Sequence, residues 1–190
     1  MLTIYILTVI LFKSKLGKDE KMIARVLVWI IFIVGGGVFG LYLDKIFFNN
    51  IRNNLIWHII SFTLGIFVLN LVIIISRNTG RTLAKFGRKG GNIPKMETNK
   101  IVKEGVYGCM RHPMHLGLLF FPLSIGLLLG SISFIILISP LEMIIMIIMI
   151  YLVEEPEAVK KFGEEYIKYK QQTPFFNFRI YCLKKLFKTG

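Results

Sequence analysis

Two histidines and two glutamates carry the chemistry open to this sequence. His112 and His115 lie in Arg111-His112-Pro113-Met114-His115-Leu116-Gly117, and Glu154 and Glu155 open the run Glu154-Glu155-Pro156-Glu157. The histidines are about one helical turn apart, so both can face one way. An imidazole donates or accepts a hydrogen bond near neutral pH. A carboxylate can pair with Arg111 or accept from a ligand's hydroxyls and amines. Pro113 suits the first turn of a helix, and the free N–H groups of such a turn favour an anion. Two readings stand side by side: a ligand site, and a structural latch in which Arg111 pairs with Glu155. The histidine and glutamate spacing matches no standard zinc pattern, and no metal is expected.

About 35 mostly apolar residues separate the two motifs. Segments 116–130 and 132–153 can form a helical hairpin with Gly130-Ser131 at its tip, returning the chain to one face of a bilayer. Pro122 and Pro140 can each kink an arm. The 190 residues are 54% hydrophobic, and the mean hydropathy is +0.63. Soluble domains of this size need more polar surface. The apolar blocks are too continuous for alternating barrel strands, which leaves helices as the way to satisfy the backbone in lipid. The fold class is therefore all-α, a polytopic helical membrane protein with about five membrane segments. Segments 22–43 and 55–76 are strong spans, while 2–12 is short and reads equally as a tilted or an interfacial helix. Residues 1–76 would supply N-terminal membrane helices and 77–190 the functional core, together forming one integrated domain.

The net charge is +13, and the 24 Lys and Arg residues cluster. Residues 13–25, 77–115 and 153–190 hold all but two of them. The excess of Lys and Arg in cytoplasmic loops places those three groups inside, and both polar motifs with them. No nucleic-acid partner is expected; the basic charge suits anionic lipid.

Within this frame Gly36 and Gly40 form a small-xxx-small pair for helix packing. Trp57 and His58 suit an interface. Glu142, two residues after Pro140, is too costly to face lipid as a charge. It therefore faces the bundle interior or is protonated, with a buried hydrogen bond or a cavity role as its use. Cys109 and Cys182, both placed in the cytoplasm, read as free thiols. Residues 175–187 mix Phe, Ile, Tyr and Leu with Arg179, Lys184 and Lys185, the pattern of an amphipathic segment on the membrane surface.

The motifs also resemble a known family. Gly105-Val106-Tyr107 followed by Arg111-His112-Pro113-Met114-His115-Leu116-Gly117 resembles the G-x-Y…R-H-P-x-Y-x-G motif of isoprenylcysteine carboxyl methyltransferases. Glu154-Glu155, Phe162-Gly163-Glu164-Glu165-Tyr166 and Tyr169 resemble their E-E…F-G-x-x-Y…Y motif, and phospholipid N-methyltransferases share the pattern. The resemblance implies a membrane methyltransferase using S-adenosyl-L-methionine. It implies a cytoplasmic cofactor pocket lined by Tyr107, His112, Pro113, Met114 and His115, with Glu154 from the other arm. Asn99, Lys100, Ile101 and Val102 would contribute largely through backbone, and Asn92 would be a polar contact. The acceptor implied is lipid-like, foremost the carboxylate of a prenylated cysteine, with phospholipid or small-amine N-methylation as the alternative. A nicotinamide-dependent membrane reductase and a non-catalytic membrane protein are the competing classes. Three positions depart from the pattern: His115 replaces a tyrosine, Ile150 stands where some members carry an arginine, and Thr173-Pro174-Phe175-Phe176 replaces V-P-R-F. The last two remove cations that a carboxylate acceptor would use.

Overall fold

The computed structural model describes residues 18–88, 90 and 98–188, with side chains from Leu27 onward. The stretch 2–12 and Asn92 lie outside these residues. Every regular element among the described residues is helical. They are α1 (Lys18–Phe47), α2 (Asn49–Arg52), α3 (Leu55–Phe86), α4 (Pro113–Leu118), α5 (Phe121–Leu129), α6 (Ser139–Met149), α7 (Glu155–Phe162), α8 (Glu164–Gln172) and α9 (Ile180–Leu186), with a 3-10 turn at Gly105–Gly108. Three runs are long and apolar enough to cross a membrane: Leu27–Phe47, Leu55–Phe86 and Phe134–Phe162. A shorter apolar piece, Pro113–Leu129, completes the hairpin. The outward faces of α1 and α3 carry exposed Ile30, Val34, Val38, Ile56, Ile59 and Phe67, among others, a surface that only lipid accommodates.

The hairpin turns where the sequence places it. Gly130 has φ +65°, and Ser131 N–H donates to Gly126 C=O at 3.1 Å, closing α5. Trp57 Nε1 donates to Gly130 C=O at 2.8 Å, and Ser61 Oγ to Leu127 C=O at 2.6 Å, so α3 fastens the tip. Asp44, buried near the end of α1, accepts from Ser133 N–H at 2.8 Å and caps the returning arm. The expected glycine contact forms there too. A Cβ on Gly36 would lie 2.7 Å from Ile138 Cγ2, and one on Gly40 3.2 Å from Phe134 Cβ. Glu142 packs beside Gly36 in the bundle interior, with no hydrogen-bond partner among the described residues.

The prolines shape the second arm more strongly than a simple kink. Wide π turns occupy Phe134–Ile138 and Ile150–Glu154. Each ends two residues before a proline, Pro140 or Pro156. A proline ring clashes with the carbonyl four residues back, here Ile136 or Leu152, and cannot donate to it. A widened turn relieves both problems. The second π turn carries Glu154, so the helix that positions the candidate carboxylate is locally rewound.

Two expectations change. Residues 77–86, which the sequence reading sets outside the 55–76 span at the start of the functional core, continue α3 without a break. Thr79 and Thr82 direct their hydroxyls to carbonyls one turn back, which lets polar residues stay helical and buried. Cys109 and Cys182 are not free thiols: they form a disulfide, with Cα atoms 5.7 Å apart. Nothing in their spacing signalled this. They meet because α9 folds back onto the 3-10 turn, where Cys182 and Leu186 join Val102, Val106, Tyr107, Met110 and Leu116 in one core.

Candidate functional site

The site forms where α4, the Ile150–Glu154 turn and the segment after α8 converge. Arg111 and His112 immediately precede α4, and the segment after α8 fixes them. Their N–H groups donate to the carbonyls of Pro174 and Phe175, at 2.9 and 3.3 Å. Glu154 and Glu155 are successive helical residues and so point about 100° apart. One carboxylate therefore turns to each of two different partners.

Glu155 is the centre of a buried latch, its side chain 1% exposed. Its Oε1 accepts from Arg111 Nε at 2.8 Å and from His112 Nε2 at 3.0 Å. Lys170 Nζ lies 2.5 Å from Oε2, and the Tyr166 hydroxyl donates to Oε1 at 3.4 Å. Arg111 also donates from Nη1 to the carbonyls of Thr173 (2.6 Å) and Lys170 (3.0 Å). Phe175 covers the cluster, 4.6 Å from the His112 ring centroid and 5.7 Å from the Arg111 guanidinium. Burial holds the His112 pKa below its ordinary value despite the hydrogen bond to Glu155 that opposes it. Burial, and then the Glu155 charge, push the Tyr166 hydroxyl up to about 12, so it stays a proton donor.

Glu154 has the other partner. Its Oε1 lies 3.1 Å from His115 Nε2, and both side chains are partly accessible. This pair ends a groove of about 480 Å³, lined by Val28, Trp29 and Ile33 of α1, Leu118, Phe121 and Pro122 of the first arm, and Met146, Met149, Ile150 and Val153 of the second. Apart from His115 and Glu154 every lining side chain is apolar. Ile150 is wall: 1% exposed, at the position where a cation was absent from the motif. The groove thus joins an oil-like channel to a carboxylate–imidazole end, an arrangement that can hold an amphiphile by its tail and act on its head.

Of the residues the resemblance assigned to a cofactor, the fold brings His115 and Glu154 together at the groove and sets His112 beside them, its ring centroid 5.6 Å from that of His115. Ligand atoms of these three lie within 4.8 Å of one another. Pro113 is buried and Met114 partly buried in α4. Tyr107 is a core residue: its hydroxyl donates to Thr79 C=O at 3.5 Å, and its carbonyl accepts from the Tyr169 hydroxyl at 2.6 Å. Ile101 and Val102 are buried in two separate apolar clusters. The N–H groups of Asn99 and Lys100 both donate to Gly87 C=O, at 2.9 and 3.3 Å, and the Lys100 ammonium is 3.9 Å from Glu104. Sequence reading missed the α1 wall of the groove, Lys170 as the second cation on Glu155, and Phe175 as its cover. A span read only for packing gives no local sign of Trp29, and Lys170 is joined to the latch only by the turn that follows α7.

The comparisons accord with this geometry. The family model described as phospholipid methyltransferase matches residues 60–165, which cover most of α3, both arms of the hairpin and the Arg111–Gly117 and Glu154–Glu157 motifs. No curated protein and no solved structure matches the sequence. That family falls in the same superfamily as the isoprenylcysteine carboxyl methyltransferases whose motifs these residues resemble. With more than half the chain matched, and His115 of one motif paired with Glu154 of the other at the end of the groove, the chain belongs to the phospholipid methyltransferase family.

Proposed function

We propose that this chain transfers a methyl group from S-adenosylmethionine to a lipid-like acceptor that enters sideways from the bilayer. The supporting observation is the apolar groove that ends on His115 and Glu154. The donor set suits the cofactor: a partly exposed carboxylate for its ammonium group, an imidazole beside it, and apolar walls for its uncharged parts. Glu154 and His115 would hold it, and the resemblance adds His112, Pro113, Met114, Tyr107, the backbone of Asn99, Lys100, Ile101 and Val102, and Asn92, which lies outside the described residues. When bound, it supplies a methyl group already activated on a sulfonium.

The chain's own residues then have three tasks. The groove aligns the acceptor, and alignment alone can contribute up to about 7–11 kcal/mol. Met149, Ile150 and Val153 exclude water from the reacting end. His115, whose Nε2–H donates to Glu154, would receive at Nδ1 the proton that an ammonium acceptor must lose before its nitrogen can attack. The Lys and Arg distribution supports a cytoplasmic orientation for this end.

We further favour an amine-bearing head over the prenylcysteine carboxylate that the resemblance put first. The groove lining contains no Lys or Arg to pair with a carboxylate, and an amine head needs no such partner. Labelled S-adenosylmethionine and vesicles containing the protein separate the two. Label should appear on a primary-amine phospholipid and little on a prenylcysteine analogue, and Ile150→Arg should move the ratio toward the carboxylate. Label on prenylcysteine alone would overturn the acceptor assignment. No transfer to any lipid acceptor would overturn the enzymatic reading.

A further inference from the structure

Beyond the groove, one cluster stands apart from the proposed chemistry. Residues 178–188 expose Phe178, Ile180, Tyr181 and Phe187, each at least half exposed. These large apolar groups lie outside the spans and are interleaved with the exposed cations Arg179, Lys184 and Lys188. The opposite side of α9 is spoken for: Cys182 and Leu186 are buried in the core, and Lys185 Nζ donates to Gly105 C=O at 3.4 Å. Asn78 Nδ2 donates to Leu186 C=O at 3.4 Å, which sets α9 beside the polar end of α3, past the apolar stretch 55–76. With 55–76 read as the membrane-buried part of α3, α9 lies at the headgroup level. Large apolar side chains mixed with cations at that depth fit one surface, the interface of an anionic membrane.

The same tail is tied to the site at successive points. Pro174 and Phe175 accept the N–H groups of Arg111 and His112, Asn177 Nδ2 donates to Cys109 C=O at 3.3 Å, and Cys182 is bonded to Cys109. A force that seats α9 therefore also holds the backbone that presents the latch and the site histidines.

We propose that residues 178–188 are a clamp for anionic lipid headgroups, and that its seating holds Arg111 and His112 in place. The clamp rests on membrane insertion and not on the methyltransferase reading. Each cation near such a surface is worth about fivefold in binding, so the three exposed cations together give about a hundredfold.

The test uses the full chain in nanodiscs of phosphatidylcholine alone or with one-third phosphatidylglycerol. In a Tyr181→Trp variant, emission in excess of the parent's should be quenched by brominated lipid, more strongly with phosphatidylglycerol, and the excess should fall with salt as screening grows. Arg179→Glu, Lys184→Glu and Lys188→Glu together should abolish the preference for anionic lipid. Hydrogen exchange at the Arg111 and His112 amides should then quicken by at least about tenfold, since their acceptors, the Pro174 and Phe175 carbonyls, lie on the backbone that leads directly into the released segment. Equal quenching in both compositions would overturn the anionic assignment. No quenching in either would assign the surface to a soluble partner instead. Unchanged exchange at Arg111 and His112 in the charge-reversed variant would overturn the coupling. None of these readouts requires cofactor or methyl transfer, so the clamp and the proposed activity fail separately.

Discussion

Glu155→Gln is the sharpest test of the latch. The substitution keeps shape and removes the charge that Arg111, His112 and Lys170 share. Lys170, 41% exposed, can turn to water, so its loss accounts for less than about 1 kcal/mol. Arg111 is 9% exposed and has no such escape. Removing one partner of a buried pair costs about 3–5 kcal/mol. Arg111 keeps the carbonyls of Thr173 and Lys170, and the glutamine oxygen can still accept one bond, which sets the expectation at the lower end, about 3 kcal/mol. For a chain of this size about 2–4 °C accompanies each kcal/mol, so the melting temperature in detergent should fall by about 6–12 °C. Arg111→Met with Glu155→Leu should recover much of the loss, because neither charge is then buried alone. A melting temperature within about 1 °C of the parent for Glu155→Gln, or a double variant whose loss equals the sum of the singles, would refute the reasoning.

Three further outcomes follow from particular contacts. His112 has a lowered pKa in the fold, so the unfolded chain binds the proton first as pH falls. Stability should be full above about 6.5 and decline from there toward the lowered value, by at most about 1.4 kcal/mol per pH unit, and His112→Asn should flatten that part of a melting-versus-pH curve. Gly36→Leu should cost about 1–3 kcal/mol in thermal stability, because its Cβ meets Ile138, while Gly35→Leu, with nothing within 4 Å, should be near neutral. Reducing the Cys109–Cys182 bond frees a loop of sequence separation 73, worth about 4 kcal/mol in the chain-entropy picture, so a reductant should lower the melting temperature of the parent and leave Cys109→Ser with Cys182→Ser unmoved.

What the sequence made legible was set by local pattern. Continuous apolar runs located the membrane helices, Gly130 located the hairpin tip, and Gly36 and Gly40 located the face on which the hairpin packs. Opposite charges at the two motif ends made the Arg111–Glu155 latch readable before any coordinates. Other features depended on rotation and return of the chain. The prolines were visible, but not that the turns before them widen to π geometry, nor that Glu155 turns to His112 and Glu154 to His115. The resemblance grouped His112 with Glu154 in a cofactor pocket, whereas in the fold His112 hydrogen-bonds to Glu155. The disulfide, the Trp29 wall and the Phe175 cover each join residues far apart in the chain, where no spacing rule applies. Asp44 falls in the same class, a charge near the end of α1 that is buried because it caps the returning arm.

The most direct measurement of the proposed function is a calorimetric titration of the purified, detergent-solubilised protein with S-adenosylhomocysteine. The parent should bind, and Glu154→Ala and His115→Ala should each weaken affinity by at least about tenfold, the loss of one charge-assisted contact. Gly35→Leu, remote from that pair, should bind as the parent does. Absence of binding by the parent, or equal affinity in parent, Glu154→Ala and His115→Ala, would contradict the assignment of this groove end to the methyl donor.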